Sequence, residues 1–165
     1  CTGVVEEDEI IDGSKIKEGD KIIGIESSGL HSNGFSLIND MLWRHKIAYL
    51  NMPELSTPTR IYAPVIKFLK KEVPILGMAH ITGGGLVENL PRCIPNGLKP
   101  YVNYDSWPLP EIFHKIMMAG EIPPEEMKRV FNLGIGFCVI VAAEDEDATL
   151  KAIGNNCWTI GEIVV

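Results

Sequence analysis

Apolar residues along this chain fall into two rhythms. Short, nearly unbroken runs mark buried strands. These are "KIIGIESS" (21–28), apolar in its middle and stopped by Ser-Ser-Gly, "PILGMAHI" (74–81), "KPYVNY" (99–104), "IGFCVIVA" (135–142) and "WTIGEIVV" (158–165). "TGVVEE" (2–7) reads as a further short strand, followed by a turn-rich connection, "EIIDGSKIKEGD" (9–20). Three- and four-residue spacing marks helices. "SNGFSLINDMLWRHK" (32–46) puts Phe35, Ile38, Met41 and Leu42 on one face, with Ser32 or Asn33 able to cap its start. "TRIYAPVIKFLKKEV" (59–73) carries a stripe of Ile61, Val65, Phe68 and Leu69, and gathers Lys67, Lys70 and Lys71 toward its C-terminal end, where the helix dipole favours cations. "NMPELSTPTR" (51–60), with two prolines, is the loop before it. Shorter helices are predicted over "LVENL" (86–90), "LPEIFHKIMMAG" (109–120), "PPEEMKRVFN" (123–132) and "DEDATLKAIGNN" (145–156). Strands and helices mix without strict alternation, and there is no internal repeat. The pattern predicts an α+β domain of three layers, α/β/α, with a central mixed sheet between helices.

Composition narrows the function classes. At 165 residues and 45% hydrophobic, one domain with a real core is expected. The net charge of −7 argues against nucleic acid or an anionic membrane as the main partner, while a small anion remains compatible, because backbone dipoles bind it locally. Cys1, Cys93, Cys138 and Cys157 form no CxxC and lie at no metal-finger spacing, so they read as reduced, packed thiols of a cytoplasmic protein. The longest apolar run, "LGIGFCVIVAA" (133–143), is too short for a membrane-spanning helix, and no signal-peptide pattern is present. The opening on Cys1 reads as a piece cut from a longer protein.

Two stretches share a design that could carry chemistry. "SSGLHSNG" (27–34) and "AHITGGG" (79–85) each follow a strand, lead into a helix and hold one histidine. Glycine-rich strand-to-helix loops aim backbone N–H groups at a common point, which suits a phosphate. Ser28, Ser32, Asn33, Gly34, Thr82, Gly83, Gly84 and Gly85 are the candidate binding residues, and His31 and His80 the candidate proton-exchanging groups. Capping and turn chemistry alone also place Gly, Ser and Asn in such loops, so spacing supports an anion-binding domain and nothing finer. Neither a Walker loop nor a GxGxxG fingerprint is present. His45 and His114 lie within helices as surface or packing residues, and "EDED" (144–147) reads as a solvated helix start rather than a metal site. In "NLGIGF" (132–137), two glycines at the start of a buried strand imply a close backbone approach or a bulge, with Asn132 holding a loop by side-chain hydrogen bonds.

Taken together, "SSGLHSNGFSL" (27–37), "PTRIY" (58–62), "AHITGGGLVENLPR" (79–92) and "FNLGIGF" (131–137) resemble the C-terminal domain of the phosphoribosylformylglycinamidine cyclo-ligase family, also called aminoimidazole ribonucleotide synthetase. The resemblance runs the length of the chain, with residues 1–20 similar to the interdomain connection and 21–165 to the C-terminal domain. It departs from the family in a short "IAYLNMPELS" (47–56) and an early end at "EIVV". It implies an enzyme that uses ATP and Mg2+ to activate the formyl oxygen of formylglycinamidine ribonucleotide as a phosphate ester. An amidine nitrogen then closes the imidazole ring, in purine synthesis. It also implies that ATP and Mg2+ are held mainly by an N-terminal domain absent from this chain, that the full enzyme is a homodimer, and that His31, Ser32, Asn33, His80, Thr82 and Gly83 to Gly85 line the seam between domains. Relatives of the same architecture are selenophosphate synthetase, thiamine-phosphate kinase, hydrogenase maturation proteins and formylglycinamide ribonucleotide amidotransferase. A non-catalytic phosphate-binding module is the alternative from another class.

Overall fold

A computed structural model describes residues 2–44 and 52–165. Five strands form one sheet: β1 (Lys21–Glu26), β2 (Gly77–His80), β3 (Lys99–Val102), β4 (Ile135–Val141) and β5 (Cys157–Val164), in the spatial order β2-β4-β1-β5-β3. Among the described residues six α-helices accompany it: α1 (Phe35–Arg44), α2 (Ala63–Glu72), α3 (Gly85–Asn89), α4 (Glu111–Ala119), α5 (Pro124–Val130) and α6 (Glu146–Ile153).

The α+β class with helices on both sheet faces is what the pattern predicted. The sheet itself, expected to be mixed, has four antiparallel ladders among the described residues. The reason lies in the connections. β1, β2 and β3 follow one another through long crossovers and run in the same direction, as such crossovers require. They are not neighbours, because β4 and β5 run the other way and insert between them. The strand expected over residues 2–7 does not form. Residues 2–6 pair with no described strand, Val4 is 99% exposed, and a 3-10 turn follows at Glu7–Glu9.

Period-2 alternation sorts the strand residues onto two faces. One face sets Ile22, Cys138 and Ile140 against Leu86 and Leu90 of the α3 region and Trp107. The other sets Ile23, Val139 and Val141 against Leu69 and Val73 at α2 and Ile75. A bulge in β5 opposite Ile22 and Ile23 lets Ile160 and Ile163, three residues apart, share the first face. A third cluster packs Ile38 and Met41 of α1, Phe113 and Ile116 of α4, and Met127 with Phe131 at α5. Each such side chain contributes about 1.5–3 kcal/mol on leaving water.

α2 corrects the predicted stripe. The helix starts at Ala63 beside Pro64, so Thr59, Arg60 and Ile61 lie ahead of it, and Ile61 and Phe68 are exposed. The face turned inward is Ile66, Leu69 and Val73, with Tyr62 leading into it. Two apolar stripes one residue apart coexist in this segment, and burial selects the one that carries Tyr62 under the sheet edge. His45 and the tail of the predicted 32–46 helix lie outside the described residues, as does Cys1. Among the described residues, Cys93, Cys138 and Cys157 are free thiols, and no helix is long and apolar enough to cross a membrane.

Candidate functional site

Because β1 and β2 run the same way with β4 between them, their C-terminal ends open on one edge of the sheet, roughly 10 Å apart. The "SSGLHSNG" loop leaves β1 there, and the "TGGG" loop leaves β2. The imidazole rings of His31 and His80 come to 6.2 Å between centroids, and Tyr62 stands 5.8 Å from the first and 5.9 Å from the second. Phe137 lies under His80, nearly stacked at 6.0 Å. Gly136 of β4 is the floor of this cluster: a Cβ there would overlap the Tyr62 hydroxyl and the His31 ring. The close backbone approach expected in "NLGIGF" is thus the approach of two site side chains.

The two histidines sit in opposite environments. His31 is 4% exposed and lies in a left-handed stretch, with φ of +51° at His31 and +59° at Ser32. Its Nε2 accepts the backbone N–H of Ser28 at 3.0 Å and, more weakly, that of Arg60 at 3.4 Å. Its Nδ1 is buried with no partner among the described residues. Burial first, then the nearby charges of His80 and Arg60, lower its pKa to about 4. His80, at the end of β2, is exposed. Tyr62 donates its hydroxyl to the Glu26 carbonyl at 2.8 Å, and burial pushes its phenol pKa up. Arg60 reaches the same carbonyl at 3.2 Å and stands 3.6 Å from the Glu26 carboxylate.

The other predicted residues fall around this cluster. Ser28 donates its hydroxyl to the Pro58 carbonyl at 2.7 Å, joining the first loop to the "PTRIY" segment. Ser32 is exposed, and Asn33 donates to the His31 carbonyl at 2.8 Å. Asn33 also reaches Gly83, so the two loops meet there. Gly34 shares a cleft of about 290 Å3 with Gly83, Gly84, Glu88, Glu126 and Arg129. Gly84 has φ +95°, and Gly85 has φ +58° with its backbone pressed on the Lys128 and Phe131 carbonyls. The fold itself demands glycine at both. Gly83 differs: it is exposed, its φ is not positive, and a Cβ there would meet only Asn33 at an ordinary 3.7 Å.

Three further residues hold the site together: Asn89 and Tyr62, which the sequence reading did not single out, and Asn132, which it expected to hold a loop. Asn89, 4% exposed, donates its amide to the carbonyls of Thr82, Gly83 and Gly85 at 3.4, 3.2 and 2.7 Å, while Thr82 donates its hydroxyl to the Asn89 oxygen at 3.2 Å. Asn132 ties the other loop: its amide donates to the Gly29 carbonyl at 2.8 Å, and its oxygen accepts from Ser27 at 3.1 Å and from the Gly134 N–H at 2.8 Å. Tyr62 is the third. Asn89 and Tyr62 lie inside the motifs that marked the site, but nothing in their local pattern announces the distant groups they bind. A larger, apolar pocket of about 460 Å3, lined by Tyr104, Trp107, Phe113, Met117 and Met127, contains none of the loop residues. Among the described residues no cluster of three or more His, Cys, Asp or Glu is placed to hold a metal ion.

Residues 17–165 match the family described as "AIR synthase related protein, C-terminal domain". The chain belongs to this family. Curated relatives agree. A phosphoribosylformylglycinamidine cyclo-ligase of Prochlorococcus marinus (strain MIT 9211) is 48% identical over 99% of this chain and 51% of its own length. The enzyme of the same name from Synechococcus sp. (strain CC9311) is 47% identical with the same coverage, and that from Trichlorobacter lovleyi is 46% identical over 98% of this chain and 50% of its own. The chain therefore spans about half the length of these relatives. Among solved structures, the hydrogenase maturation protein HypE of E. coli superposes with a TM-score of 0.60 at 16% identity, covering 92% of this chain and 46% of that one. A thiamine-monophosphate kinase of Stenotrophomonas maltophilia K279a gives 0.59 at 17% identity, covering 97% and 52%. At such identity these two establish the fold alone.

Proposed function

We propose that this chain supplies the C-terminal half of the site of a cyclo-ligase that converts formylglycinamidine ribonucleotide to aminoimidazole ribonucleotide with ATP. The observation that carries the reading is the identity of 46–48% along nearly the whole chain to three enzymes named phosphoribosylformylglycinamidine cyclo-ligase. The geometry is compatible with it. Both glycine-rich loops open on one sheet edge, where the two imidazoles stand 6.2 Å apart.

In this reading Ser28, Ser32, Asn33, Gly34, Thr82, Gly83, Gly84 and Gly85 form the wall that holds the ribonucleotide, and His31 and His80 are the imidazoles beside the place where the attacking nitrogen loses its proton. The N–H groups of Gly83 and Gly84 donate to no acceptor among the described residues and are free for substrate oxygens. α3 is only five residues long, so these individual N–H groups, rather than a summed helix dipole, would do the binding. The described residues do not fit ATP with Mg2+: they offer no metal cluster and no Walker loop. Those ligands belong, in this proposal, to an N-terminal domain, with which this chain forms a cytoplasmic enzyme that is a homodimer. The family's chemistry needs both substrates in one geometry, and that proximity supplies much of the rate.

Calorimetry tests the substrate class. Formylglycinamidine ribonucleotide is expected to bind the enzyme containing both halves at least tenfold more tightly than ribose 5-phosphate. Equal affinities for the two would reduce the chain to a phosphate-binding module.

A further inference from the structure

We infer that the two histidines divide the work: His31 is a positioning residue, held neutral with its hydrogen on Nδ1, and His80 is the imidazole that exchanges a proton with the substrate. The second half rests on the ring-closing function proposed above, while the first stands on geometry alone.

The tautomer of His31 follows from its partners. Backbone N–H groups can only donate, and two of them, from Ser28 and Arg60, point at Nε2. The Ser28 hydroxyl also lies 3.1 Å from Nε2, but its one hydrogen goes to the Pro58 carbonyl at 2.7 Å. That hydroxyl oxygen is the one group within reach that could accept from Nε2, but a hydrogen on Nε2 would face two backbone N–H groups that can only donate, so Nε2 carries a lone pair and Nδ1 carries the hydrogen. A second proton would have to sit on Nε2, facing the Ser28 N–H, and the contact that closes the loop would be lost.

The ring has no room to turn away. Gly136 lies against its Cε1 and Nδ1 edge, and Tyr62 packs at 5.8 Å. The charged and titratable groups packed against it come from three elements. Glu26 ends β1, Arg60 and Tyr62 precede α2, and His80 ends β2. Arg60 and a charged His80 both oppose a positive His31, and the carboxylate of Glu26 faces Arg60 at 3.6 Å. What His31 does instead is join two segments, Ser28 in the first loop and Arg60 in "PTRIY", at one atom. The left-handed backbone at His31 and Ser32 is thereby fixed, and with it the direction of the Asn33 side chain toward Gly83 in the second loop. His80 differs on each count. It is exposed, its ring stands beside those of His31, Tyr62 and Phe137, and among the described residues no hydrogen bond occupies either nitrogen. A substrate arriving from solvent reaches it first.

Two measurements test the division. Imidazole 15N spectra of this chain are expected to show His31 with a hydrogen on Nδ1, bare at Nε2 and unchanged from pH 8 to pH 5.5. A His31 that carries its hydrogen on Nε2, or titrates near neutral pH, overturns the positioning role whatever the reaction is. In the enzyme containing both halves, a glutamine oxygen can take the place of Nε2. His31→Gln is therefore expected to retain kcat/KM within about tenfold and to keep the acidic limb of the pH profile, while His31→Ala loses at least a hundredfold. His80→Gln is expected to lose a hundredfold or more in kcat and the acidic limb with it. Melting curves verify that each variant folds. If His31→Gln abolishes the limb and His80→Gln keeps it, the roles are reversed. If folded wild-type enzyme containing both halves fails to turn over formylglycinamidine ribonucleotide, the function and the role of His80 fall together, and the state of His31 read from the spectra stands.

Discussion

The three consecutive glycines have different reasons to be there, and substitution separates them. Gly85→Ala sets a Cβ against the Lys128 and Phe131 carbonyls at a φ of +58° and is expected to cost more than about 2 kcal/mol in a urea titration. Gly83→Ala meets only Asn33 at an ordinary 3.7 Å, so stability is expected to stay within about 0.5 kcal/mol while ribonucleotide affinity falls in the enzyme containing both halves. A Gly83→Ala variant as stable and as tight-binding as wild type would remove Gly83 from the binding wall. The sequence showed that glycine was concentrated here but not how the roles divide, because φ and close approach depend on α5, which arrives 40 residues later. His31 gives a second prediction at this scale. Its folded pKa, about 4, lies below the ordinary 6.5, so as pH falls the unfolded chain takes up the proton first. The stability this neutral ring holds above pH 6.5 is lost as pH drops toward 4, by up to about 3 kcal/mol. Urea midpoints measured at pH 7.5 and 4.5 are expected to differ less in His31→Gln than in wild type.

Among the elements, α2 is the sharpest test of what periodicity conveys. Its inward stripe runs through Ile66, Leu69 and Val73, and Phe68 stands 48% exposed. Leu69→Ala is expected to cost about 2–5 kcal/mol, and Phe68→Ala less than about 0.5 kcal/mol, by denaturant midpoint. Leu69 belongs to both stripes, and the opposite ranking would restore the predicted one, Ile61, Val65, Phe68 and Leu69. Most elements were legible because their signals are local: Pro110 before α4, Pro124 at the start of α5, and the apolar run of β4. The segment 59–73 misled because both stripes are apolar, and only the sheet edge that receives Tyr62 decides between them. The short strand at 2–7 misled for a related reason: Val4 and Val5 favour extended backbone, but a strand needs a neighbour, and none of the described strands lies beside them. Asn89 and Asn132 were hidden or half-read because their work is to bind carbonyls of other turns.

For the whole molecule, the arrangement of strands explains both what the sequence revealed and what it withheld. Co-directional β1 and β2 bring the histidine loops to one edge, as strand-to-helix loops in successive crossovers do. The insertion of β4 between them, and of β5 between β1 and β3, comes from the last third of the chain, and no local pattern announces it. The proposed function adds an expectation at this scale. This chain alone, mixed with ATP and formylglycinamidine ribonucleotide, is expected to give no turnover, and addition of the N-terminal half to restore it. Turnover by the chain alone at a rate near that of the cyclo-ligases would refute the shared site. Once the partner half is bound, the apolar side chains left in solvent at Trp43, 81% exposed, and Ile61, 79% exposed, can be checked by solvent labelling for protection.

The central position of β1 sets the order in which this domain can be made. Within this domain β1 leaves the ribosome before the other strands, and its two hydrogen-bonding neighbours, β4 and β5, leave it after β2 and β3. Ser27, just past its end, meets Asn132 across 105 positions of chain. Until β4 emerges, the isoleucines of "KIIGIE" have no ladder and no sheet face to join. Until then this domain can fold only its helices, and the sheet closes only once β4 and β5 have emerged, with the slow rate that long-range contacts impose. A nascent chain stalled before residue 135 is expected to have this domain chaperone-bound and protease-sensitive, while one in which residue 165 has cleared the ribosome has it free of chaperone and protected.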